Sequence, residues 1–159
     1  MTRILALDLG TRRIGVALSD PTQTIASPLE VIPVISRARV RVRVSALVHT
    51  HDAERVIVGL PTRLDGTEGV EARRARQFAA ALQQEIGIPV ELLDERLTTA
   101  EAERAMLEAD ASRFTRRERR DAVAAALLLQ RYLDAHRGEQ RTGTREQEAG
   151  QGHGGRFEG

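Results

Sequence analysis

The chain has 159 residues and a formal net charge of +1, with 41% of its residues apolar. That length suits one domain, and that composition supports a hydrophobic core and excludes global disorder. No apolar run approaches the roughly 20 residues of a membrane span, and the opening MTRILALDLG is too short an apolar stretch for a signal peptide. Cysteine is absent, which excludes disulfides, thiolate zinc sites and cysteine nucleophiles and fits a reducing cytoplasm. All 24 basic residues are Arg. Lysine Schiff-base chemistry and lysine-dependent P-loops are thereby excluded. The arginine usage is what GC-rich coding produces, and it equally supplies forked donors suited to phosphate.

In chain order, Arg3 to Leu9 is an apolar run that predicts a strand, closed by a turn at Gly10-Thr11-Arg12-Arg13. Ile14 to Ser19 predicts a second strand, with Gly15 where a side chain would crowd a neighbour, and Ile25 to Val34 contains a third. Strands this closely spaced predict an antiparallel meander. Residues 36–51 read as a helix through Val40, Val44, Leu47 and Val48; the alternation of Arg37, Arg39, Arg41 and Arg43 fits an extended segment equally well. Arg55 to Val58 reads as a buried strand closed by Gly59-Leu60-Pro61.

Val70 to Ile86 predicts an amphipathic helix with Ala75, Phe78, Ala79, Leu82 and Ile86 on one face. Pro89 to Leu93 predicts a strand. Capping boxes at Thr98–Glu101 and Thr115–Glu118 open helices running to about Ala109 and His136. The last 22 residues, 138–159, hold seven of the 13 glycines and almost nothing apolar, so they read as a disordered polar tail behind a domain at 1–137. The expected class is α/β, with a mixed five-stranded sheet flanked by helices.

Three acids stand out. Asp8 lies inside the first strand on the face of Ala6 and Gly10, where a carboxylate is costly unless paired or metal-bound. The plainer reading is a cap for its own glycine turn. Asp94-Glu95-Arg96 follows a strand end, where α/β sites are commonly built; alone it reads as a solvated turn paired internally with Arg96. Asp121 shares a face with Ala124, Ala125 and Leu128 of a buried helix, and taken singly it is a partner of the helix dipole. Convergence of the three would raise their pKa values unless a cation sat among them. Oxygen-only ligands suit Mg²⁺ or Mn²⁺, ions that support phosphodiester hydrolysis.

Arg12 and Arg13 flank the Asp8 end. Ser112 to Arg120 carries five Arg, among them Arg116, Arg117, Arg119 and Arg120, against one Glu, just before Asp121. Cations at a helix start oppose the macrodipole unless an anion approaches. A nucleic-acid backbone is such an anion, and with only Phe114 placed to stack, recognition is expected of shape and backbone rather than sequence.

The segments Leu7–Ala17, Val58–Pro61 with Asp65–Glu68, Leu93–Thr99 and Asp121–Gln130, in this order, resemble the YqgF/RuvX family of RNase H-like nucleases over about residues 1–135. The resemblance implies an RNase H-like fold and a divalent-metal nuclease whose acids fall on Asp8, Glu95 and Asp121. It further implies processing of the 5′ end of pre-16S ribosomal RNA, or action like a Holliday-junction resolvase. Partners would be RNA, or branched or single-stranded DNA, and an assembling ribosomal subunit. The protein is expected to be cytoplasmic, away from membranes, and a monomer or weak homodimer. Related junction resolvases of this fold carry a fourth acid one turn beyond the last-helix acid; here that position is Ala124, and three acids match. Asp94 is a further ligand or a partner of Arg96.

Three other readings are open. One is a non-catalytic nucleic-acid-binding assembly factor. Another is an actin- or Hsp70-like ATP-binding protein, suggested by Asp8-Leu9-Gly10-Thr11, although the chain has no room for the second domain such proteins need. The last is a metal site at His49 and His51, which lacks further ligands at zinc spacing.

Overall fold

The computed structural model describes residues 2–95 and 114–154, with side chains described as far as Arg137. The predicted helix from Thr98 to about Ala109 lies outside the described residues. The chain runs β1 (Arg3–Leu9), β2 (Arg13–Ser19), β3 (Ala26–Pro33), α1 (Arg37–His51), β4 (Ala53–Leu60), α2 (Val70–Ile86), β5 (Val90–Asp94) and α3 (Arg116–Gly154).

The strands form one mixed sheet in the order β3-β2-β1-β4-β5. The first three make the expected antiparallel meander, whereas β4 joins β1, and β5 joins β4, in parallel. β1 is therefore central and covered on both faces. That is why its apolar run is nearly continuous: Ile4, Leu5, Ala6 and Leu7 are all buried.

Strand alternation sorts the core into two layers. Leu5, Leu7, Val16, Val56 and Val58 pack with Val40, Val44 and Leu47 of α1 and Phe78 and Leu82 of α2. On the other face Ile4, Ala6, Ala17 and Ile57 pack under Ala125, Leu128, Leu129 and Tyr132 of α3. The small residues Ala6, Ala17, Ala125 and Ala126 let this helix sit close to the sheet.

Residues 37–51 are helical, not extended. Ser36 caps the start by accepting from the Arg39 backbone N–H at 3.2 Å, and Asp52 ends the helix in the left-handed region at φ 53°. One helical stripe of Val40, Val44 and Leu47 is buried, while the arginines project outward. The Thr115 capping box forms as expected: the Thr115 side chain accepts from the Glu118 N–H and the Glu118 carboxylate accepts from the Thr115 N–H, each at 3.3 Å. α3 continues to Gly154, beyond the sequence-based end near His136. No proline stands in 137–154 to break the ladder. Its last buried side chain among those described is Leu133.

Gly15, opposite Asp8 in the β1–β2 ladder, is where the backbone of α3 presses on the sheet. A Cβ there would lie 1.8 Å from the Asp121 carbonyl oxygen and 3.0 Å from the Ala122 nitrogen. Both are backbone atoms that no rotamer change can move. The Gly15→Ala variant is expected to lose about 1–3 kcal/mol or more in urea unfolding, because α3 must lift from the sheet. Leu129→Ala, which empties a fully buried site in the same layer, is expected to lose about 2–5 kcal/mol.

Candidate active site

The carboxyl-terminal ends of β1 and β4 lie side by side, and the chain leaves them in opposite directions: β1 turns back into β2, whereas β4 leads to α2. Crevices at such divergence points are where α/β proteins commonly place ligands. Asp8 alternates with Ala6 and so faces α3, as do Gly15 beside it and Gly59, the residue two beyond Ile57.

Gly59 makes room for Glu95. A Cβ at Gly59 would lie 2.0 Å from Glu95 Oε1, so the carboxyl occupies the space that any other residue would fill. The Glu95 backbone is held by its N–H donating to the Leu60 carbonyl at 3.3 Å. Its side chain hydrogen-bonds Asp8. Burial in the first place, then that hydrogen bond and the charges of Asp8, Asp94 and Glu71, push the Glu95 carboxyl from an ordinary 4.5 up to about 9. At neutral pH the Asp8–Glu95 pair therefore keeps a proton.

Asp121 arrives on α3, in the turn whose carbonyl presses on Gly15. Its Oδ2 accepts from Arg13 Nε at 2.8 Å, both side chains being about one-third to one-quarter exposed (33% and 26%). Arg13, read from sequence as a phosphate ligand, is thus placed on an acid. The three predicted acids share one face of the sheet as a touching pair plus a third group turned to a guanidinium. Among the described residues, no three carboxylates or histidines close on a single point of ionic size.

Asp94 is accounted for differently. Its Oδ1 accepts from Thr62 Oγ1 at 3.0 Å, and its position alternates with Leu93, which packs under α3. Arg96 lies outside the described residues. Of the remaining predicted arginines, Arg12, Arg116, Arg117 and Arg120 are exposed and Arg119 is half-buried.

Two contributors escaped the sequence reading. Gly59 was seen only as part of a loop; its signal was a glycine closing a strand beside a predicted acidic site. Arg131 donates through Nη1 to the Asp94 carbonyl at 2.7 Å, tying the strand end that precedes Glu95 to the helix that carries Asp121. Nothing in its sequence neighbourhood marks that role.

The donor set fits a hard dication. It consists of carboxylate oxygens held in a glycine-made recess, with negative charge that the chain neutralises by one proton and one guanidinium. The proton carries a prediction. A carboxyl whose folded pKa is raised contributes stability that is complete below its ordinary 4.5 and is lost as pH rises towards about 9. In metal-free buffer, the stability of the native chain relative to Glu95→Gln should therefore fall steadily across that window. Urea melts at several pH values check this, and a pH-independent difference would contradict it.

Comparison with known proteins fits this geometry. The family model described as "RuvX: Holliday junction resolvase" matches residues 2–135. A protein of Pelotomaculum thermopropionicum named "Putative pre-16S rRNA nuclease" is 48% identical over 134 residues, covering 84% of this chain and 87% of its own. A Myxococcus xanthus protein of the same name is 44% identical over 135 residues, covering 85% and 89%. Among solved structures, Thermus thermophilus RuvC in complex with a Holliday junction substrate aligns with a TM-score of 0.57 at 20% identity, over 87% of this chain and 97% of that one. The Fowlpox virus resolvase, also in complex with junction DNA, aligns with a TM-score of 0.54 at 11% identity, over 84% and 98%. The structural likenesses bear out the expected RNase H-like fold, and with 134 residues matched by the family model, the chain belongs to the RuvX family.

Proposed function

We propose that the protein is a divalent-metal-dependent nuclease whose Asp8, Glu95 and Asp121 hold Mg²⁺ or Mn²⁺. The observation that carries this reading is the hydrogen-bonded Asp8–Glu95 carboxyl pair, half-buried on the α3 face that also carries Asp121. A fold gains nothing in stability by pressing two acids together, whereas a site for a dication requires it. When bound, the metal lowers the pKa of an attacking water and stabilises charge on the leaving oxygen of a phosphodiester.

The chain's own groups do the rest. Asp8, on the central strand, is the fixed anchor. Glu95, once deprotonated, would serve as a second oxygen donor, and Asp121 would supply a third if it turned from Arg13, whose guanidinium would then be available to a phosphate. Arg12, Arg116, Arg117, Arg119 and Arg120 hold the nucleic-acid backbone through forked, charge-assisted contacts.

The substrate this reading favours is the 5′ end of pre-16S ribosomal RNA, supported by the name shared by relatives at 43–48% identity. The working surroundings would be the cytoplasm and an assembling ribosomal subunit, with the protein a monomer or weak homodimer. The nuclease domain would end near residue 137, just past Leu133, the last buried side chain among the described residues. Among the described residues no helix is long and apolar enough to cross a membrane. Junction cleavage is the second reading, favoured by the family description. Against it stands Ala124, half-buried where a fourth acid would be needed.

Labelled single-stranded RNA, single-stranded DNA and four-way junctions, each with Mg²⁺ or Mn²⁺, test the proposal. Asp8→Asn should lower cleavage by more than the roughly 10–100-fold that follows loss of an outer partner of a metal ligand. Undiminished cleavage by that variant would end the metal-nuclease reading. Arg116→Ala and Arg117→Ala should weaken binding evenly across sequences and each reduce the salt slope by about 1. Affinity insensitive to salt would remove the arginines from the interface.

A further inference from the structure

On the face of the sheet opposite the acids, a cavity of about 350 Å³ opens at the same edge. Leu9, Ile14 and Phe78 form its floor, and Arg37 and Arg74 stand at its mouth with Glu71. The floor belongs to the layer shared with α1 and α2. Both arginines are exposed, and neither is ion-paired among the described residues. Arg37 occupies the first turn of α1, a turn without an acidic residue, so its charge opposes the helix dipole and is relieved by an incoming anion. An apolar slot of this size, with two forked cations at its entrance, is built for a ligand that is flat and apolar at one end and anionic at the other.

The cavity adjoins the acidic centre. Its wall includes Gly10 and Thr11, which directly follow β1 and its Asp8. Glu71 at the mouth is close enough for its charge to be felt by Glu95. A strand whose phosphodiester reached Asp8 would pass over the β1–β2 turn with its neighbouring nucleotide above this opening.

The geometry points to the cavity as a subsite for one unstacked nucleotide of the substrate strand, its base against Leu9 and Phe78 and its phosphate on Arg37 and Arg74. Glu71 is placed to accept from an exocyclic amine of the base. This inference rests on the nuclease reading for the identity of its ligand. Nucleotide as a chemical class is supplied either by the strand or by a free nucleotide; continuity with the acidic edge favours the strand.

The test uses single-stranded oligoribonucleotides with 2-aminopurine stepped through successive positions. They are bound at saturation to the Asp8→Asn chain and to the same chain carrying Arg37→Ala and Arg74→Ala. One position should brighten severalfold with Asp8→Asn, through loss of stacking, and the brightening should disappear when the two exposed arginines are removed. No bright position, or equal brightening in both proteins, overturns the subsite. Displacement of the base by free adenosine monophosphate, at concentrations where inorganic phosphate has no effect, overturns the strand as occupant and leaves a free-nucleotide site. Cleavage is scored separately on the native chain. Cleavage without a bright position removes the subsite and keeps the nuclease; a bright position without cleavage removes the nuclease and keeps the subsite.

Discussion

Two half-buried carboxyl groups held in hydrogen-bond contact set the terms for the rest of this site. Asp8 is fixed by a strand buried on both faces, and Glu95 is fixed by a strand end pinned to Leu60 and filling the recess above Gly59. Their repulsion must therefore be relieved by a positive charge, and the available means are a proton on Glu95 or a cation among the oxygens. Asp121 meets the same demand through the Arg13 guanidinium. The chain thus balances its three acids with one proton and one guanidinium.

Close approach on the α3 face is what permits the acids to share a neighbourhood. Gly15 lets the Asp121 backbone touch the sheet, and Gly59 gives its side-chain space to Glu95. Alanines on both the strands and the helix thin that layer further. The opposite layer is built from larger residues, Leu5, Leu7, Phe78 and Leu82. One face thus serves as the packed foundation, and the other trades side-chain volume for functional approach.

Much of this was legible in the sequence, for identifiable reasons. The strands of the meander, the α2 face and the Thr115 cap rest on local periodicity and local hydrogen bonds, and these formed as expected. The arginine alternation in α1 misleads because a period of two in charge carries little weight once one stripe of Val40, Val44 and Leu47 is buried and Ser36 caps the start. The acids announced themselves as carboxylates in costly places. Their partners did not: the Arg13–Asp121 pair spans 108 residues and the Arg131–Asp94 contact 37, and no local pattern encodes such a meeting. Gly15 was recognisable as a position intolerant of a side chain, but the helix that excludes one is contributed from far along the chain.

The sheet order explains why the acids and the cavity gather at one edge. β1 and β4 point the same way, and the connections leaving their carboxyl ends diverge, so a gap opens there that neither connection fills. The residues lining it alternate in direction: Asp8 turns to α3 and Leu9 to α1 and α2. A single strand end therefore presents an acid on one side and an apolar wall on the other, one residue apart. A nucleic-acid strand is itself divided in this way, with charged phosphates along one side and flat apolar bases along the other. Crossing this edge, it can place a phosphate at the acids and a base in the cavity without either face of the sheet having to move.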